Sequence, residues 1–225
     1  GVVLAFAASG FAAMVLEVAW TRGLALVLGS SVYAYASMLT AFLLGLASGA
    51  GSASRFLERR PRTDPRATLA FVLAAAGLLS FVAAYAMQSL PRLSAEIFFR
   101  ISPSPEGWWL AQVGLALLVM FPTTYALGWV FPLVLEAAGG ARRTVASSVG
   151  RIYAANTLGT IVGAATGGFL LIPLLGVGTT LVGVAVVQIL LGAALLPGAT
   201  AGTSKLRRNL AVAGVVAACL CVALR

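Results

Sequence analysis

The sequence predicts an all-α polytopic integral membrane protein of about seven transmembrane helices, and three observations carry that prediction. Hydrophobic residues fill 60% of the 225 positions and charged residues only 9%, against roughly 25% charged in a soluble domain. Eleven of the fifteen basic residues fall in three stretches between apolar segments. These are Arg55, Arg59, Arg60, Arg62 and Arg66; Arg142, Arg143 and Arg151; and Lys205, Arg207 and Arg208. That is the positive-inside pattern, and it accounts for the net charge of +9 without nucleic acid as a partner. Small residues also recur every fourth position in two segments, as Ala41, Gly45, Gly49, Ala53 and as Ala155, Gly159, Gly163, Gly167. In water each glycine would weaken a helix by about 1 kcal/mol. In a bilayer, where backbone hydrogen bonds cannot be traded for water, the same ladder gives a smooth face that a neighbour can approach closely.

The elements follow in order. The first span, residues 1–28, is interrupted only by Glu17, Trp20 and Arg22. It is too long for a signal-peptide core. Because the chain begins at Gly1, we read it as a fragment or processed form. The uncharged turn Gly29-Ser30-Ser31 leads to a second span, 32–54, with Tyr33 and Tyr35 as aromatic-belt residues at its start. The Arg55–Arg66 loop marks the cytoplasmic side, and a third span covers 67–88. The connection that follows has no net charge, as expected outside, and its Leu93–Ile101 stretch is suited to lie flat at the interface. Trp108 and Trp109 anchor a fourth span, 108–135. At 1.5 Å per residue this is roughly 42 Å long, more than the hydrocarbon needs. Pro122 and Pro132 are expected to break it, freeing the carbonyls of Leu118 and Gly128. A fifth span, 149–172, ends at Pro173. The turn Gly176–Gly178, a sixth span (179–196) and a shorter seventh (209–224) close the chain, all as one transmembrane domain with a cytoplasmic N-terminus in a bacterial-type inner membrane.

This alternation brings spans one to three in from the inside and spans four to six in from the outside. Each unit then carries its small-residue ladder on its middle helix. The alternation allows two three-helix units of opposite orientation, which resembles the inverted-repeat plan of secondary transporters, in which substrate sites fall near the midplane between repeats.

The chain has no histidine, which excludes His-ligated haem, histidine-bound zinc or copper, and an imidazole base. Cys219 and Cys221 lie two apart in an apolar segment and point to nearly opposite sides of a helix, so they read as packing residues. We expect no metal and no cofactor.

Two stretches resemble a known family. Gly10-Phe11-Ala12-Ala13-Met14-Val15-Leu16-Glu17-Val18-Ala19-Trp20-Thr21-Arg22, with Leu28-Gly29-Ser30-Ser31-Val32-Tyr33-Ala34 after it, resembles the opening of the membrane-embedded spermidine synthase-like proteins. Gly150-Arg151-Ile152-Tyr153-Ala154-Ala155-Asn156-Thr157-Leu158-Gly159, followed by Leu171-Ile172-Pro173-Leu174-Leu175-Gly176, is similar to their second characteristic stretch. The resemblance spans most of residues 10–178. It implies a major-facilitator-like membrane part joined to a cytoplasmic aminopropyltransferase-like domain. The sequence departs from that plan, because nothing in it matches the soluble domain that would bind decarboxylated S-adenosylmethionine and a polyamine. Its six acidic residues are scattered singly. Gly176-Val177-Gly178, the one candidate glycine loop, lies between apolar spans without a following acid at nucleotide-binding distance. A seventh span ending outside would also require another crossing before a cytoplasmic domain.

Candidate ligand-binding residues are Glu17, Thr123, Thr124, Tyr125 and Asn156. Glu17 lies near the middle of the first span, where a lone carboxylate must be protonated, paired or beside water. It serves cation binding or proton coupling, or it is a structural carboxyl hydrogen-bonded to Trp20 or to a tyrosine. Freed carbonyls and the hydroxyls of Thr123, Thr124 and Tyr125 could line a polar pocket facing Glu17, or mark a kink whose carbonyl a threonine satisfies. Asn156 either binds ligand or bonds helices together. Arg22, Arg151 and Tyr153 fall to headgroup or loop contacts, and Gly45, Gly49, Gly159, Gly163 and Gly167 to helix packing. The function expected is a membrane domain that anchors or supplies a partner enzyme and binds or transports a polyamine or other small cation. The alternative is a non-catalytic subunit packed into a larger membrane complex. An intramembrane enzyme has no histidine or paired acids to rest on.

Overall fold

A computed structural model describes residues 2–101, 104–138 and 145–196, all in helices and short turns. Arg142, Arg143, Lys205, Arg207, Arg208, the Cys219/Cys221 pair and the 209–224 segment lie outside the described residues.

The first three helices are α1 (Val2–Leu28), α2 (Val32–Arg59) and α3 (Pro65–Ala86). A short amphipathic α4 (Leu90–Ile101) precedes α5 (Pro105–Gly128) and α6 (Val130–Ala137). Then come α7 (Val145–Thr166), a π-helical turn at Gly167–Leu171, α8 (Ile172–Leu175) and α9 (Val177–Leu195). Among the described residues, six continuous segments are long and apolar enough to cross a membrane, with α5–α6 and α7–α8 each counting as one. The protein is thus an all-α polytopic integral membrane protein.

Local sequence sets the ends. Ser31 accepts the Ala34 N–H at 3.1 Å and caps α2. Asp64 accepts the Arg66 N–H at 2.9 Å and, with Pro65 following, opens α3. Ser104 accepts the Gly107 N–H at 3.0 Å and, with Pro105, opens α5. A side-chain oxygen satisfies one otherwise orphaned donor in each case. Gly29 (φ +87°) and Gly176 (φ +80°) take the left-handed backbone at the α1–α2 and α8–α9 turns, where a Cβ is disfavoured.

The fourth span differs from expectation at one of its two prolines. Pro122 sits inside an uninterrupted α5 with its ring exposed. The break comes at Trp129, whose N–H turns back to the Ala126 and Leu127 carbonyls. That is one turn ahead of Pro132, at the place where the missing proline donor frees the Gly128 carbonyl. The fifth span also runs past Pro173, to Leu175, through the π turn.

Three helix pairs make the tightest seams: α2 with α5, α3 with α9, and α1 with α7. Lipid tails are as apolar as leucine, so close van der Waals approach across small residues supplies the association. Gly159, Gly163 and Gly167 abut Ala7, Phe11 and Val15 in that order, so α1 and α7 run parallel. Gly45 and Gly49 abut Thr124–Tyr125 and Tyr125–Gly128, so α2 and α5 also run parallel. Gly77 faces Ala185 and Ile189 while Gly192 faces Ala70 and Ala74, which makes α3 and α9 antiparallel. Helix α6 therefore ends on the face where α2 ends; the stretch expected as an Arg55–Arg66 loop is there the last turn of α2, a turn over residues 60–64 and the start of α3.

These seams exchange under a two-fold operation. Swapping α1 with α5, α2 with α7 and α3 with α9 turns the α1–α7 seam into α5–α2 and the α1–α9 contact into α5–α3. The α3–α9 seam maps onto itself. The atoms agree as well. A Cβ on Gly77 would lie 2.6 Å from the Ala185 oxygen and 3.0 Å from the Ile189 nitrogen. One on Gly192 would lie 2.5 Å from the Ala70 oxygen and 2.9 Å from the Ala74 nitrogen. One constant shift along the chain carries Ala70, Ala74 and Gly77 to Ala185, Ile189 and Gly192. A shift one residue shorter overlays the two ladders, Ala41 to Ala53 on Ala155 to Gly167. It also carries Phe11, against Gly163, to Tyr125, against Gly49. Two three-helix units, α1–α3 and α5–α9, are related by an axis perpendicular to the helices.

Candidate functional site: a cavity on the pseudo-two-fold axis

A cavity of about 280 Å³ opens between α1, α2, α5–α6 and α7. The shift that overlays the ladders carries Ala13 to Leu127, Met14 to Gly128, Phe42 to Asn156 and Leu46 to Thr160. All of these residues line the cavity, so it lies on the axis between the units. Residues that the operation exchanges sit at opposite heights, and those that meet in one small cavity therefore sit near the middle of the bundle.

The backbone of the cavity is symmetric and its chemistry is not. Phe42 and Leu46 present apolar groups from α2, while Asn156 and Thr160 present an amide and a hydroxyl from α7. Asn156 packs on Gly10, where a Cβ would fall 2.9 Å from the Asn156 Cγ and 2.9 Å from its backbone oxygen. Only glycine lets the amide sit there. Ser9, buried, adds a second hydroxyl. Aromatic rings form the remaining wall. Phe6 stacks on Phe131 at 5.7 Å, and Tyr153 meets Phe131 edge-on at 6.5 Å. Such a site offers aromatic rings and neutral oxygen acceptors.

Of the residues expected to bind ligand, Asn156 lines this cavity, and Tyr153, expected at headgroups or the loop, lines it with its side chain 61% exposed. Thr124 and Tyr125 pack instead on Gly45 and Gly49 in the α2–α5 seam. The Thr124 hydroxyl donates to the Met120 and Phe121 carbonyls at 2.9 and 3.2 Å, and Thr123 is fully buried with its hydroxyl unpartnered among the described residues. Glu17 is half-buried on α1, one turn beyond Ala13 on the row Phe6, Gly10, Ala13. The Trp20 indole N–H is buried and finds no acceptor among the described residues, so a Glu17–Trp20 hydrogen bond is not made. Arg22 and Arg151 are exposed. The five glycines expected to pack helices all do so within this chain.

Sequence reasoning missed Ser9, Thr160 and Gln188. Thr160 lies four residues after Asn156, and that spacing was the available signal. Gln188 is fully buried on α9, with both amide atoms unpartnered among the described residues. The lone amide in an apolar span was its signal. No group of three or more metal-ligating side chains occurs among the described residues. No protein family, curated protein or solved structure matches the chain.

Proposed function

We propose that this chain is the carrier-like membrane domain of a spermidine synthase-like protein, which holds a small organic ammonium ion in the axial cavity and anchors or supplies a partner enzyme. The observation that carries this reading is the cavity itself, lined at equivalent positions by both inverted units, where transporter sites are built. Its chemistry suits an amine. Ring faces attract ammonium groups, and Asn156, Ser9 and Thr160 supply acceptors for N–H donors. Both stretches that resemble the family contribute to the lining, Gly10, Ala13 and Met14 from the first and Tyr153 and Asn156 from the second. Glu17, on the same row of α1, supplies an acidic group near the cavity.

Thermal unfolding of the detergent-purified protein with spermidine or putrescine tests this. An amine at a hundredfold excess over its Kd stabilises by about 2.7 kcal/mol. Asn156→Phe, which copies Phe42 into the second unit, should abolish the response, and Glu17→Gln should reduce it. A wild-type protein that responds to neither amine, or an Asn156→Phe variant that responds fully, would remove the proposal.

A second reading, the non-catalytic subunit, draws on the exposure of α7. The span from Val149 has the least buried core stretch of the six described spans, 17% of its most apolar 18 residues, and Leu158, Ile161 and Val162 are exposed. Because the glycines face inward, a partner would bind that outer row. Leu158→Ala with Ile161→Ala should release a co-purifying protein if this reading is right.

A further inference from the structure

A second cavity, of about 470 Å³, lies at the end of α2 on the arginine-rich face, away from the axis. It is lined by Ser52, by the exposed Arg55, Arg59 and Arg60, which we take as its rim, and by the half-buried rings of Phe56 and Trp129, which we take as its floor. The geometry points to a binding site for a phosphate-bearing anion, and we propose that the three arginines hold its phosphate while the rings seat the part attached to it.

Arg55 and Arg59 are one helical turn apart and so project from one face. The Arg60 guanidinium lies 5.7 Å from the centre of the Phe56 ring, which fixes its direction. Phe56 and Trp129 hold each other at 5.4 Å, joining the end of α2 to the α5–α6 break. None of the three guanidinium groups has a carboxylate partner among the described residues. The nearby acids do not compete for them. Asp64 is spent on the Arg66 N–H at the start of α3, and Glu58 is exposed and does not line the cavity. Guanidinium forks match phosphate oxygens in pairs. An aromatic floor beneath a basic rim suits a phosphate with an apolar body, as a lipid headgroup presents at a membrane surface. A free phosphate would use the rim alone.

The test uses the full chain purified in a neutral detergent, with phosphatidylglycerol titrated and its binding read by native mass spectrometry. Two double variants remove equal charge. Arg55→Gln/Arg59→Gln should weaken binding roughly tenfold or more, since charge-assisted bidentate bonds are lost. Arg62→Gln/Arg66→Gln, in the α2–α3 turn and the first turn of α3 and off the cavity, should change it less than about twofold. Should the first pair fail to fold, Arg55→Lys/Arg59→Lys keeps the charge and loses the fork, and it should still weaken binding. Competition by inorganic phosphate would identify a free phosphate as an occupant of the same site, and no competition would assign the lipid. Equal losses in the two Gln pairs, or no loss in either, would overturn the proposal.

Discussion

Helices α2 and α7 occupy equivalent places in the two units and do different work. Both press a ladder of small residues onto a parallel partner, and Gly49 and Gly163 each meet the carbonyl of an equivalent residue, Tyr125 and Phe11. Yet α2 turns Phe42 and Leu46 to the axial cavity and α7 turns Asn156 and Thr160. The seam depends on backbone approach and tolerates only small residues, so it is alike in both units. The cavity wall is free to vary, and it does. Symmetry here belongs to the two seams, and chemical difference to the wall of the cavity.

The largest effect should come from breaking the two seams in parallel. Gly49→Leu and Gly163→Leu each drive a side chain into a backbone carbonyl, and each should cost on the order of 3 kcal/mol, measured by unfolding in mixed micelles. A loss at one site and none at the other would show that the equivalence does not extend to energetics. The seam on the axis offers a gentler comparison. Gly77→Ala and Gly192→Ala meet matching backbone atoms at matching distances, so their costs should both fall within about 1–3 kcal/mol, with Gly77→Ala the costlier because its Cβ also meets the Ile189 Cγ1 at 2.7 Å. The smallest effect sharpens the contrast in chemistry. The shift that relates α3 to α9 carries Leu73 to Gln188. Gln188→Leu removes a buried amide without partners among the described residues and should stabilise the protein by about 1 kcal/mol or somewhat more. A destabilised Gln188→Leu protein would mean that the amide serves a contact beyond the described residues.

Much of this fold was legible because a bilayer imposes simple rules. Apolar length gave the spans and basic runs gave the connections, whereas the caps at Ser31, Asp64 and Ser104 went unread although their chemistry is local to a few residues, so the third and fourth spans were begun two and three residues late. Partner choice was not legible. The period that reveals the Gly45–Gly49 ladder is silent on whether α5 or α1 covers it, since that depends on residues many turns away in the chain. Pro122 misled for a related reason. A proline in a lipid-facing helix need not break it where neighbouring turns hold the backbone. In the site, Asn156 stood out as a polar residue in an apolar run, whereas Phe42 and Leu46 look like ordinary span residues and acquire meaning only as counterparts of Asn156 and Thr160. Ser9 was masked by the company of small residues, and Glu17 drew attention by its cost alone.

The π turn at Gly167–Leu171 has a consequence for how the halves stay matched. Between Gly167 and Ala185 the offset relating the two halves lengthens by a single residue, and the π turn lies in that interval. A π bulge absorbs one extra residue while the hydrogen-bonded rod continues. The later half can thus carry an insertion and still deliver Ala185 and Ile189 to Gly77, so that two copies of unequal length close as though they were one ring.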